Sequence, residues 1–234
     1  LLLTLSVCVF CAGQPTMVKI SEVLFHPEKG GAKFIEIYNA GNVAVALDEI
    51  ALAEITDSEV GKIVDISAGG TLNAGQYMVF TTNATWIMEH YTVPNIQNLI
   101  ELNALPQMKV GGDTIAIVLV EDTSIIEQLN YSESMQSGLL SDKKGVSLER
   151  RSFSEDINAA GNWFSASSTS GYATPTGCNS QSAEWLFEED AFTLSAEIIS
   201  PDGDGYQDEI AISYQLVNSN LAGNVMILDG QGRT

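Results

Sequence analysis

Two short runs, Ile20-Ser21-Glu22-Val23-Leu24-Phe25 and Phe34-Ile35-Glu36-Ile37-Tyr38-Asn39, constrain the fold of this chain more than any other part of it. Successive side chains of a strand point to opposite faces, so Phe34, Glu36 and Tyr38 share one face and Ile35 and Ile37 the other. Apolar residues on both faces mean a strand that is at least partly covered on both sides. Glu36 is then an acid among apolar neighbours. Buried acids are rarely left unpaired, so its carboxylate is expected to accept hydrogen bonds from backbone or from Arg150. The intervening Pro27-Glu28-Lys29-Gly30-Gly31 is the kind of break that joins two strands. A hairpin in an all-β domain follows.

Further strings fall in order downstream: Leu72-Asn73-Ala74-Gly75-Gln76-Tyr77-Met78-Val79-Phe80 as a turn and core strand, then Gly145-Val146-Ser147-Leu148-Glu149-Arg150 as a late strand. Asn162-Trp163 and Gly171-Tyr172-Ala173-Thr174-Pro175 close the series. Each string alone is a weak pattern, and the order and spacing of the set make it specific. Over roughly residues 17–180 the set resembles a secreted bacterial lamin tail domain. That resemblance implies an all-β, immunoglobulin-like β-sandwich with Ile35, Ile37, Val79, Ile115, Ile117 and Leu148 in its core. The bacterial members resemble adhesion or surface-display modules more than enzymes, and no catalytic residues come with the resemblance.

Other segments agree with a sandwich, since strand signals recur at short intervals bounded by Gly, Asn, Asp or Pro. Thr114-Ile115-Ala116-Ile117-Val118-Leu119-Val120 is apolar on both faces, which marks a central strand after the Gly111-Gly112-Asp113 turn. One helix is expected, with Asn83 capping Ala84 to Tyr91 and Trp86, Ile87 and His90 on one side. The pattern breaks near Gln181, where residues 181–191 read as a linker. From there residues 192–234 read as the start of a second immunoglobulin-like unit, with strands at Phe192 to Ile199, Glu209 to Leu216 and Asn224 to Leu228. Three strands in so short a stretch do not bury a sandwich core, so this second unit is expected to be truncated. The sandwich itself takes residues 16–180.

Leu1 to Phe10 is an apolar run followed by Cys11-Ala12-Gly13, small residues where signal peptidase cuts, and residues 1–13 read as a signal peptide remnant. A buried first strand is the alternative. The run is too short to span a bilayer as a helix, which takes about 20 residues. Val7 and Phe10 stand before Cys8 and Cys11 where a lipoprotein site has a small residue, so a lipid anchor is not favoured. Cleavage would leave Cys178 as the sole thiol, with no internal disulfide. The location expected is secreted or cell surface. A formal net charge of −20 opposes nucleic acid, whose binding is driven by Lys and Arg, and it attracts cations. Protein or glycan at the cell surface is the partner class left.

The metal-like stretch is Ser200-Pro201-Asp202-Gly203-Asp204-Gly205-Tyr206-Gln207-Asp208-Glu209. Calcium takes six to eight oxygens, and alternate carboxylates with a glycine let a short loop wrap the ion. Ser200, Asp202, Asp204, Asp208 and the Tyr206 carbonyl are the expected ligands of a weak structural calcium site; a plain Asp/Gly turn is the alternative. Ala211 stands where an EF-hand places its bidentate Glu. His26 and His90 are the only histidines, and no nucleophile motif accompanies either. His26 reads as exposed at the hairpin turn, and Trp163 and Tyr172 read as packing aromatics. Asn83 and Asn130 open glycosylation patterns that matter only in a eukaryotic secretory route. The function expected is a non-enzymatic binding or structural module, the alternative being the accessory region of a larger secreted hydrolase, a nuclease or phosphatase.

Overall fold

The computed structural model describes residues 15–183, 192–196, 198–203 and 208–214. Along the chain come β1 (Val18–Leu24), β2 (Phe34–Asn39), β3 (Val45–Ala46), β4 (Ile50–Thr56), β5 (Glu59–Asp65), β6 (Thr71–Leu72) and β7 (Tyr77–Thr81). The helix α1 (Ala84–His90) is followed by β8 (Leu99–Glu101), β9 (Gly112–Leu119), β10 (Ile125–Ser132), β11 (Leu148–Arg150) and β12 (Trp163–Ser165). By its internal contacts the chain divides into residues 1–181 and 182–234. In the second unit β13 (Phe192–Leu194) and β14 (Ile212–Tyr214) pair antiparallel. The apolar run Leu1 to Phe10 and the third expected strand, Asn224 to Leu228, lie outside the described residues. No helix among the described residues is long and apolar enough to cross a membrane.

Alternation along each strand sorts the residues between two sheets of order β12-β11-β1-β2-β7-β8 and β10-β9-β4-β5. Pairing is antiparallel except between β7 and β8, where the chain returns through α1. The inward faces supply one core: Ile20 and Val23 from β1, Ile35 and Ile37 from β2, Met78 and Phe80 from β7, facing Ile50, Leu52, Ile115, Ile117 and Leu129. Phe25 and Tyr131 stack across it at 4.7 Å. Each such side chain withdrawn from water contributes about 1.5–3 kcal/mol, before the entropy of ordering it. All six residues expected to be buried are buried, Val79 on the outer face of the first sheet and the other five in this core, and the architecture is the expected all-β sandwich.

Both faces of β2 are covered, as its pattern demanded. The outward Phe34 joins Leu24, Val79, Ile87, Leu99 and Ala173 in a second apolar layer, which α1 roofs. Asn83 caps that helix, its side-chain oxygen accepting from the Trp86 amide at 3.0 Å. Trp86 lies between the His90 ring, stacked at 4.0 Å, and the backbone of Gly31. At the end of β2 the buried Asn39 donates to the carbonyls of Val43 (2.9 Å) and Leu72 (3.0 Å), which ties the β3–β6 pair to the sheet.

β1 carries a bulge. Its register against β2 slips between Ile20 and Glu22, so Ser21 is an extra residue. Strict alternation would put Glu22 and Leu24 on the core face beside Ile20. After the bulge they face outward, and Val23 and Phe25 take the core positions.

The sheets are also tied by charge. Arg150 of β11 donates to Glu127 of β10 at 2.9 Å, and Lys19 approaches the same carboxylate at 3.5 Å. The Glu127 carboxylate further accepts from the Ile20 amide at 2.7 Å. Arg150 gives its remaining donors to the carbonyls of Ile20 (3.4 Å), Ser152 (3.0 Å) and Glu155 (3.0 Å), and lies 5.3 Å from the Phe153 ring centroid.

Two substitutions test this packing. In Gly31→Ala the new carbon would sit 2.5 Å from the Trp86 ring, and overpacking of this kind costs about 1–3 kcal/mol in a denaturant titration. Unchanged stability would show that α1 docks loosely. Arg150→Met leaves the buried Glu127 with the half-exposed Lys19 at 3.5 Å as its one cation among the described residues, and breaking a buried pair costs about 3–5 kcal/mol. Adding Glu127→Gln should recover part of that loss; a cost below about 1 kcal/mol for Arg150→Met alone would refute the pair's importance.

Candidate functional site

The bulge at Ser21 brings three acids into one row. On the outer face of the first sheet Glu149 of β11 stands opposite Glu22 of β1, and Glu22 opposite Glu36 of β2. All three are fully buried. Like charges directly opposite on adjacent strands repel, and the repulsion grows as water is removed. Such a row survives only with donors or with protons.

The donors come from residues 172–181, a strap that crosses the three strands. Thr176 donates its amide to Glu36 Oε2 at 2.7 Å. Thr174 donates its amide to Glu22 Oε1 at 3.0 Å. Glu149 Oε2 accepts from the Ser180 hydroxyl at 2.7 Å and from the Gln181 amide at 3.0 Å. From β11's own lead-in, the Ser147 hydroxyl donates to Glu22. Asn179 completes the seam, donating to the carbonyls of Ser21 (3.0 Å) and Arg150 (2.9 Å). The first of these is the carbonyl of the bulge residue itself.

One hydroxyl bridges two of the carboxyls. The Thr174 hydroxyl contacts Glu149 Oε1 at 2.8 Å and Glu22 Oε2 at 3.3 Å, yet it has one hydrogen to give. That hydrogen serves the shorter contact, so the longer one leaves Glu22 Oε2 weakly compensated. Burial, and then the neighbouring Glu149, push the Glu22 carboxyl up to about 8. Burial, with Glu22 beside it, holds Glu36 well above the ordinary carboxyl range, and burial also raises Glu149 against the pull of its donors Ser180, Thr174 and Gln181. Glu36 Oε1 is buried with no hydrogen-bond partner. Burial therefore disfavours the charged form at all three carboxyls.

Glu36 is thus buried and accepts from backbone as expected, but Arg150 is not its partner. Leu148 of β11 faces the core, which sends Glu149 outward to the row and Arg150 inward to Glu127. Glu22 and Glu149 were missed, although each, like Glu36, is a single acid inside an apolar strand; joining them needed the register. The strap donors left no trace in the sequence beyond a run of Thr, Asn and Ser.

The other singled-out residues are scattered. His26 is half-buried rather than exposed, its Nδ1 3.8 Å from Glu133 Oε1. His90 is exposed on α1 and stacks on Trp86, so the two histidines serve different loops. Trp163 is buried and donates to the Ile157 carbonyl at 2.7 Å. Tyr172, expected to pack, is exposed with φ +70°. A polar cleft lined by Lys19, Glu127, Arg150, Phe153 and Asp156 holds the most buried cation among the described residues, but Arg150 is already spent on protein oxygens.

Of the five expected calcium ligands, Asp204 and Tyr206 lie outside the described residues. Asp208 Oδ1 accepts from the Gly203 amide at 2.7 Å, with Gly203 at φ +81°, and the Asp202 amide donates to the Ser200 carbonyl at 2.8 Å. Among the described residues no three His, Cys, Asp or Glu side chains are arranged to hold a metal ion.

Comparison with known proteins follows the same geometry. No curated protein sequence matches the chain. A family model described as Lamin Tail Domain matches residues 12–133, which takes in every strand from β1 to β10, the bulge, Glu22 and Glu36. Glu149 and the strap lie beyond it. Since the match covers just over half of the 234 residues, the chain belongs to the lamin tail domain family.

Proposed function

We propose that this chain is a secreted or cell-surface module that binds or spaces rather than catalyses. The carrying observation is the glutamate row: the three carboxyls best placed to act as paired acid and base are sealed beneath the strap, and the strap's donors occupy them. Acid–base catalysis requires a group within hydrogen-bond reach of substrate. These groups close the sandwich instead. Secretion is supported by Leu1 to Phe10 followed by Cys11-Ala12-Gly13, and a protein or glycan partner by the net charge of −20.

Nuclease and phosphatase assays of the purified chain, with and without divalent metal, should show no turnover above buffer. Turnover abolished by His26→Ala or His90→Ala would overturn the non-enzymatic reading and favour a hydrolase. Fused behind an initiator Met and a short basic segment in a secreting bacterial host, the chain should be released shortened, and N-terminal sequencing of an uncut, cell-retained product would count against secretion.

Calcium in the 200–208 loop belongs to the same proposal, supported by the spacing of Asp202, Asp204 and Asp208. With no bidentate Glu at Ala211, affinity should fall in the extracellular range, on the order of 10⁻⁴ to 10⁻³ M. Calorimetric titration with calcium should give heat that Asp204→Ala removes; equal heats from both proteins would show that these carboxylates bind nothing.

A further inference from the structure

We propose that residues 172–181 are a proton-dependent strap, held shut by the neutral glutamate row and released locally when the row ionises. Three separate observations meet there. Among the described residues the row has no cation to balance it: the titratable groups that face it are Glu22, Glu36 and Glu149 themselves, Cys178 on the strap, Tyr38 on β2, Tyr77 on β7, and Tyr91 with Glu28 beside it. None is Lys, Arg or His. The strap is also strained, because Tyr172 (φ +70°) and Thr176 (φ +65°) occupy the left-handed region without being glycine. Such positions cost roughly 1–3 kcal/mol each and persist only when their surroundings hold them. Thr176 is held by its amide bond to Glu36 and by the Asn95 amide, which donates to its hydroxyl at 3.1 Å. Finally, Glu36 Oε1 is buried without a hydrogen-bond partner among the described residues, so a charge on it would go uncompensated.

The sign follows from linkage. With the strap closed, Glu22 titrates near 8; with the strap open, the acids meet water and return toward 4.5. Between those limits opening releases protons, so the open population rises with pH, up to tenfold per pH unit for each proton released. Below 4.5 the acids are neutral in both states and opening is insensitive to pH. The strap is fastened by these hydrogen bonds and by a small apolar contact, Ala173 in the layer under α1 and the buried Pro175. Release therefore leaves the main core intact, as expected for a segment of low local stability. Opening exposes three adjacent carboxylates at the edge where the first unit ends.

Hydrogen exchange read by mass spectrometry at pH 5 to 9, corrected for intrinsic exchange, measures this directly. The peptide covering 170–183 should gain openings with pH by up to tenfold per unit, while the β9–β10 hairpin over residues 112–132 changes less. Glu22→Gln and Glu36→Gln, which cannot ionise, should flatten the slope. If either variant fails to fold, alkylation of Cys178 in the unaltered chain, divided by its thiolate fraction, gives the same slope without substitution. A strap that opens only in step with the hairpin, or a slope untouched by both glutamines, overturns the proposal. Both outcomes are independent of the hydrolase assays, so failure here leaves the non-enzymatic reading standing.

Discussion

A carboxyl taken out of water must be given donors, a counter-charge or a proton, and the outer face of the first sheet sets that requirement three times in adjacent strands. The fold meets it with donors. Thr174, Thr176, Ser180 and Gln181 can reach the row only if the chain crosses β2, β1 and β11 after β12 is complete. The closing segment is thus positioned by what the acids need, and the acids are positioned by the bulge at Ser21. Asn179 joins the two, since it satisfies the carbonyl that the bulge leaves out of the ladder.

The opposite face uses the other solution. Glu127, an acid of similar burial on β10, is ionically matched by Arg150 and Lys19. Adjacent residues of β11 therefore feed two acid sites of different kinds: Glu149 into a row without cations, Arg150 into an ion pair between sheets. The ion pair carries its own counter-charge, whereas burial disfavours the charged form along the uncompensated row. The same sandwich is accordingly clamped firmly on its inner face and conditionally on its outer one.

This division bears on function. A module that displays or spaces needs an inert core and a few adjustable surface segments, and segments of low local stability are where binding proteins change shape. The sealed row removes the acids from catalysis, and the strap over them is held by hydrogen bonds to groups that titrate. The chain's acidity, −20 overall, makes any newly exposed carboxylate cluster a further reason for cations or polar surfaces to associate with it.

Much of the architecture was legible in the residues. The alternation in Phe34–Asn39 and the two-sided apolarity of Thr114–Val120 specified covered strands, and Asn83 announced the helix, because these are local properties of strand pleat and helix cap. Glu36 as a buried acid was legible for the same reason. Its partners were not: the choice between Thr176 and Arg150 depends on which face of β11 turns inward, and that is set by register and by Leu148 filling the core. Nor could alternation place Glu22, since strict period two sends it to the core and only the extra residue at Ser21 sends it out. Local sequence determined which segments are strands and which residues are apolar enough to cover them. The tertiary structure decided which acids meet, because a one-residue slip in register moves every later side chain to the other face of the sheet.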